Sequence, residues 1–214
     1  MRKFFVLAGL FLAVALASCN NVQENVAAPV ADNLTVLKEI LNERKSIRKY
    51  DTVKVVSDEV MLDILWAANG VNREDGRRTA PSAVNAQDIE LYVCKADGAY
   101  HYNPATEELS QVCATDVRPI FASEKRNPFA LNNPVILLVC DQSKFSRFGT
   151  EAAEKFGAMD AGYVSQNIYM YCAAAGMATV ACAPGIDQEA VRAAMFLPET
   201  MKALIYHPVG YPAE

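Results

Sequence analysis

The chain is short of the side chains on which most acid–base and metal chemistry depends. Its 214 residues include two histidines, His101 and His207, and no Cys-x-x-Cys pair. No Ser-His-Asp constellation and no pair of carboxylates stands out. These gaps point away from a triad hydrolase, a thiolate–imidazole metal site and a dithiol redox centre. Positive charge is scarce as well. A net charge of -5 gives no general reason to expect nucleic acid or an anionic membrane surface as a partner.

No apolar run reaches bilayer-spanning length at the N-terminus, where one would matter most. Arg2 and Lys3 precede an apolar stretch from Phe4 to Leu16, too short to cross a membrane and suited to a signal peptide. Leu16-Ala17-Ser18-Cys19 then places small residues before a cysteine, similar to the lipobox of bacterial lipoproteins, in which Cys19 becomes the lipidated first residue. An ordinary cleaved signal with an incidental cysteine is the alternative. Residues 20–33 are polar and Ala-rich and read as a flexible tether. The expectation is an exported protein of the bacterial cell envelope, touching the membrane only through its anchor.

What is abundant is apolar residues, 52% of the chain. That supports one well-buried domain over 34–214, and the length is too small to argue for two. Five cysteines follow the first: Cys94, Cys113, Cys140, Cys172 and Cys182. An odd number leaves at least one unpaired. Cys94, Cys140 and Cys172 sit inside apolar runs and read as small buried hydrophobes.

Apolar spacing predicts a helix over Leu34–Glu43 and another over Glu59–Asn69, opened by Ser57-Asp58 and closed by Gly70. Strands are expected at Ile89–Lys95 and Tyr100–Tyr102, joined through Asp97-Gly98, and again at Pro134–Asp141, where an unbroken apolar run suits burial on both faces. Leu109 to Phe121 is expected to be helical. Glu151 to Met177 reads as a long helix that is apolar or small nearly all round from Met159 onward. Such a helix must be central, or covered by a second subunit. A helix at Gln188–Met195 and a strand at Ala203–His207 complete an α+β pattern without a βαβ rhythm.

Two segments carry chemistry. In Arg44-Lys45-Ser46-Ile47-Arg48-Lys49-Tyr50, an extended backbone would project Arg44, Ser46 and Arg48 to one face. Two guanidinium forks and a hydroxyl suit a phosphate dianion. A solvated basic surface at a helix end would also account for them. The second segment runs from Arg77 to Gln87 and contains Pro81-Ser82-Ala83-Val84-Asn85-Ala86-Gln87. Its amides suit a ring edge of alternating carbonyls and N–H groups. A polar loop before the strand at Ile89 is the alternative.

Taken in order, R-x-S-x-R-x-[FY] at Arg44, Ser46, Arg48 and Tyr50 and P-S-A-x-N-x-Q at Pro81, Ser82, Ala83, Asn85 and Gln87 resemble the nitroreductase family. Asp160-Ala161-Gly162 through Met177, Thr179 to Asp187, and Val209-Gly210-Tyr211-Pro212 resemble that family's central helix, flavin-facing loop and ending. The resemblance implies a three-layer α+β fold with an antiparallel-dominated central sheet, intertwined as a homodimer with FMN at each of two interface sites. It implies that Arg44, Ser46 and Arg48 hold the FMN phosphate and ribityl chain. Pro81, Ser82, Ala83 and Asn85 would line the flavin from the partner subunit, and the Gly185 N–H would face flavin N5. It further implies electrons from NAD(P)H or another donor, passed to a nitroaromatic, quinone or similar small acceptor by a ping-pong cycle. Dehydrogenation of a small or peptide substrate, or flavin binding without catalysis, are the alternatives. The chain departs from the pattern twice. It ends at Ala213-Glu214 where many relatives end in a basic residue, leaving Lys202 as a substitute, and it has Pro184 where some relatives have Glu.

Overall fold

The computed structural model describes residues 31–214. The signal segment, Cys19 and most of the tether lie outside the described residues; α1 (Ala31–Glu43) already includes the tether's last three positions. Helix α2 (Asp58–Asn69) starts where Ser57 Oγ accepts a hydrogen bond from Val60 N–H at 3.3 Å, with Asp58 and Glu59 in the first turn beside the positive end of the helix dipole. Strands β1 (Ile89–Lys95), β2 (Gly98–Asn103) and β3 (Glu108–Cys113) follow, then two single-turn helices, α3 (Arg118–Phe121) and α4 (Phe129–Asn132). The chain continues through β4 (Val135–Asp141), α5 (Thr150–Ala174), β5 (Ala178–Thr179), α6 (Gln188–Met195) and β6 (Met201–Gly210).

The strands form one antiparallel sheet in the order β3-β2-β1-β4-β6-β5. Its centre is β4, the unbroken apolar run, which pairs Leu138 with Leu91 of β1 on one side and Ile205 of β6 on the other. Because side chains alternate along a strand, β4 feeds two cores. Ile136, Leu138 and Cys140 meet Met61, Ile64 and Leu65 of α2 and Ala161, Val164 and Ile168 of α5. Val135, Leu137 and Val139 face Phe121, Ala130, Val191 and Met195 from α3, α4 and α6. The result is three layers, with helices on both faces of the sheet. Helix α5 lies directly on β4 because residue 157 is glycine. A Cβ there would stand 3.2 Å from Cys140 Cβ.

One expected helix is a strand. Leu109 to Phe121 divides into β3 and the four-residue α3. The reason lies at Asn103-Pro104: the Asn103 side chain accepts from Ala105 N–H at 2.9 Å and its carbonyl from Glu107 N–H at 2.8 Å, so the chain reverses and pairs back along β2. Helix α5 also ends three residues before the expected Met177, where Ala175 and Gly176 turn the chain and Met177 N–H donates to Cys172 O at 2.7 Å. Within one chain α5 is not covered on all sides. Met159 is 48% and Tyr163 46% exposed, on the flank opposite Ala161, Val164 and Ile168. Leu34, Leu37 and Leu41 of α1 and Trp66 of α2 are exposed too. The five cysteines among the described residues are free thiols; four are buried, and burial pushes the Cys94, Cys140, Cys172 and Cys182 thiols up.

Candidate active site

Past the end of α1 the chain runs extended because its backbone finds partners on β5 and at the chain end. Ile47 N–H donates to Thr179 O at 2.9 Å, Asp51 N–H to Tyr211 O at 2.8 Å, and Ala213 N–H to Lys49 O at 3.2 Å. The expected alternation follows. Lys45 and Ile47 border a hollow with Cys172 and Met177, while Arg44 and Ser46 turn to Tyr169 on α5. Arg48 lies within electrostatic reach of Tyr50 and Cys182. Among the described residues neither Arg44 nor Arg48 has an ion-pair partner, and Arg48 and Ser46 are exposed. Two guanidiniums without counter-ions beside a hydroxyl can hold a phosphate dianion.

Tyr169 joins this face to the loop after β5. Its hydroxyl accepts from Ala181 N–H at 2.9 Å and shares a 2.8 Å hydrogen bond with Ser46 Oγ. The Arg44 guanidinium stands 5.3 Å from its ring centroid. The ring rests edge-on against His207, centroids 5.2 Å apart. His207 is fully buried, and its tautomer follows from its partners. Thr179 Oγ1–H donates to Pro208 O at 3.0 Å, so it accepts from His207 Nδ1–H at 3.1 Å, and Nε2 accepts from Ser165 O–H at 2.8 Å. Burial lowers the imidazole pKa to about 3, so the ring is a neutral support.

Cys182 pairs through both backbone groups with Tyr206, at 2.9 and 2.8 Å, and the chain then turns at Pro184-Gly185. Gly185 has φ +85°, the value a type II turn requires at its third position, with Pro in the second. A Cβ there would also stand 2.8 Å from Arg126 Cζ. Gly185 N–H makes no hydrogen bond among the described residues.

The second segment is a tight loop around the single 3-10 turn Ala83–Asn85. Val84, Asn85 and Gln87 have φ of 49°, 55° and 49°. Left-handed backbone costs an L-residue about 1–2 kcal/mol, most for a β-branched one, so the loop persists only because its surroundings hold it. Ala83 N–H donates to Asp160 Oδ2 at 2.8 Å, Gln87 N–H to Ser82 Oγ at 2.9 Å, and Lys144 Nζ to Gln87 O at 2.8 Å. The Gln87 side chain donates to Gly76 O at 3.0 Å, whereas the exposed Asn85 amide has no partner among the described residues. Asp160 is itself buried and hydrogen-bonded to Asp88, which also accepts from Cys140 Sγ at 3.2 Å. Burial, then Asp88, raises the Asp160 pKa to about 7, with Ala83 N–H pulling it back.

The fold therefore brings Arg44, Ser46 and Arg48 together with the Gly185 loop. It does not bring Pro81, Ser82, Ala83 and Asn85 to the same place in one chain. Their anchor, Asp160, precedes Tyr169 by nine residues on α5, about 14 Å along the axis. Lys202 is committed elsewhere. It pairs with Glu154 at 2.9 Å, about 22 Å along α5 from Tyr169.

Residues 41–211 match the sequence profile of the Nitroreductase family. The chain belongs to that family. A Methanocaldococcus jannaschii protein provisionally named a nitroreductase is 27% identical over 186 residues, covering 83% of this chain and 92% of the relative. The crystal structure of a provisionally named nitroreductase from Ralstonia eutropha superposes with a TM-score of 0.74 at 28% identity, over 83% of each chain. A chain of the Escherichia coli microcin synthetase complex shares the fold alone, with a TM-score of 0.68 at 15% identity over 100% of this chain and 79% of that one. Within this nitroreductase-family site, sequence reasoning assigned no role to Tyr169, Asp160 or Arg126. Asp160 had a signal: it is a carboxylate among the few polar residues of an apolar helix. Tyr169 is indistinguishable from its apolar neighbours by spacing, and Arg126 lies in a loop without a motif.

Proposed function

We propose that this nitroreductase-family chain is an FMN-dependent oxidoreductase that reduces a nitroaromatic, quinone or similar small acceptor, taking electrons from NAD(P)H or another donor in a ping-pong cycle. The observation that carries this reading is the Arg44–Ser46–Arg48 face, with Ser46 and Arg48 exposed and Arg44 half-buried, joined through Tyr169 to the Gly185 turn. Arg44 and Arg48 would hold the FMN phosphate and Ser46 the ribityl chain. Gly185 N–H offers a donor to the flavin ring. FMN supplies the hydride and electron transfer, and the protein binds, orients and shields it. The unpartnered Asn85 amide, with Pro81, Ser82 and Ala83, would line the flavin of the partner subunit.

That assignment requires a homodimer. The exposed Leu34, Leu37, Leu41, Trp66, Met159 and Tyr163 support one, because apolar side chains concentrated on α1, α2 and α5 mark a surface suited to association. The N-terminal sequence supports export and lipidation at Cys19. It also favours a donor other than the chiefly cytoplasmic nicotinamide nucleotides, or the reverse reaction in which the same site dehydrogenates a substrate.

Purified protein is expected to be yellow and to bleach when a donor is added without oxygen, with parallel initial-rate lines as donor and acceptor are varied. Colourless protein that cannot be reconstituted with FMN would overturn the enzyme reading. Cys19→Ala is expected to leave the membrane fraction; unchanged retention would count against the anchor.

A further inference from the structure

Arg126 is held in place by its own turn. Ser123 N–H donates to Arg126 O at 2.7 Å, and Arg126 N–H reaches Ser123 O at 3.0 Å and Ser123 Oγ at 3.1 Å. The next residue, Asn127 at φ 53°, donates its side-chain amide to Tyr206 OH at 2.6 Å, and that hydroxyl donates to Phe121 O at 3.1 Å. Tyr206 is also the residue whose backbone pairs with Cys182. The Arg126 turn and the Gly185 loop are thus fixed to one strand position, and this sets the Arg126 guanidinium against Gly185.

Among the described residues the guanidinium has no counter-ion. Arg126 is exposed, and its side chain makes no hydrogen bond or ion pair among the described residues, although the chain carries a net charge of -5 and Glu124 is two residues away. Pro184, beside Gly185, contributes no charge. A planar, permanently charged guanidinium fork matches a carboxylate, which accepts two parallel hydrogen bonds from it. Arg44 lies over the Tyr169 ring and Arg48 within electrostatic reach of Cys182, and these two guanidiniums supply the charge that the FMN phosphate requires.

The geometry points to Arg126 as the residue that recognises a carboxylate on the electron acceptor, seated beside Gly185. This rests on the reading that Gly185 borders the flavin. The natural acceptor is then a small anionic aromatic or quinone-like compound rather than a neutral one. Arg126 acts as a specificity-determining residue; the electron transfer itself stays with the cofactor.

The test compares benzoate with benzamide, its neutral isostere, by calorimetry on FMN-loaded wild-type, Arg126→Ala and Arg126→Lys protein. Reduction of para-nitrobenzoate and para-nitrobenzamide is followed in parallel. Arg126→Ala is expected to weaken benzoate binding and to raise the Michaelis constant for para-nitrobenzoate, each about tenfold or more. The neutral probes should shift by less than about twofold, since they offer Arg126 no charge. Arg126→Lys should recover part of the loss, and FMN content should not change. Equal effects on charged and neutral probes, no effect on either, or no benzoate binding by the wild type would overturn the proposal. So would loss of FMN from Arg126→Ala, which would make Arg126 a cofactor ligand. A yellow wild type whose benzoate affinity ignores Arg126 removes this proposal alone, whereas a wild type that cannot be loaded with FMN removes the flavin reading and the proposal together.

Discussion

The segment from Arg44 to Arg48 ties down its backbone and leaves the Arg44 and Arg48 guanidiniums without ion-pair partners among the described residues, whereas the loop from Pro81 to Gln87 keeps a strained backbone in place with hydrogen bonds to Asp160, Ser82 and Lys144. One stretch is a charged surface open to a ligand. The other is a shape, maintained against its own conformational preference by a buried acid pair. A site can be prepared in either way, but the two respond differently to substitution. Removing a free charge costs binding and spares the fold. Removing an anchor costs the fold first.

The sharpest break in that comparison is Asp160→Ala. Near pH 5 it leaves Ala83 N–H and Asp88 without their partner and is expected to cost about 2–3 kcal/mol in urea unfolding. Arg44→Ala should change stability by less than about 0.5 kcal/mol. Equal losses would erase the distinction between the two segments.

Next in size is the pH dependence, in which two buried groups act with opposite sign. Asp160 keeps its proton in the folded state well above the ordinary carboxylate value of 3.8, up to about 7. Its contribution is therefore fully present below 3.8 and is lost as pH rises through about 7. His207 is lowered from 6.5 to about 3, so its contribution is present above 6.5 and is lost as pH falls through about 3. Over the shared window the slopes oppose each other. Asp160→Asn should remove the alkaline decline and raise stability near pH 8 by about 1–2 kcal/mol. His207→Gln should flatten the acid side instead. Urea midpoints across pH check both; a wild-type profile unmoved by Asp160→Asn would mean the acid pair stores no such energy.

The smallest effect tests the strain directly. Val84 is exposed at φ 49°, so Val84→Gly removes little packing and relieves the left-handed backbone, for a gain of up to about 1 kcal/mol after the glycine's chain-entropy cost. A loss of stability would show that the loop holds no strain at this position.

Local signals made much of this fold legible. The Ser57 cap, the β4 apolar run and the small-residue face of α5 each announce their element, because composition and spacing suffice where burial is uniform. Leu109 to Phe121 was not legible, since its strand half depends on pairing with β2 across a reversal that only the Asn103 hydrogen bonds secure. At the site, the spacing of Arg44, Ser46 and Arg48 carried its own prediction, and the extended backbone that realises it comes from Thr179 and the chain end. Arg126 left no trace in the sequence because its position depends on Asn127 meeting Tyr206, 79 residues away.

The most direct test is a calorimetric titration of FMN and of riboflavin, which lacks the phosphate, into flavin-free wild-type protein and the Arg44→Ala/Arg48→Ala double variant. FMN is expected to bind the wild type at least about 100-fold more tightly than riboflavin, and the double variant should lose that preference while melting within about 2 °C of the wild type. A folded double variant that still prefers FMN to the wild-type extent would contradict the assignment of Arg44 and Arg48 to the phosphate.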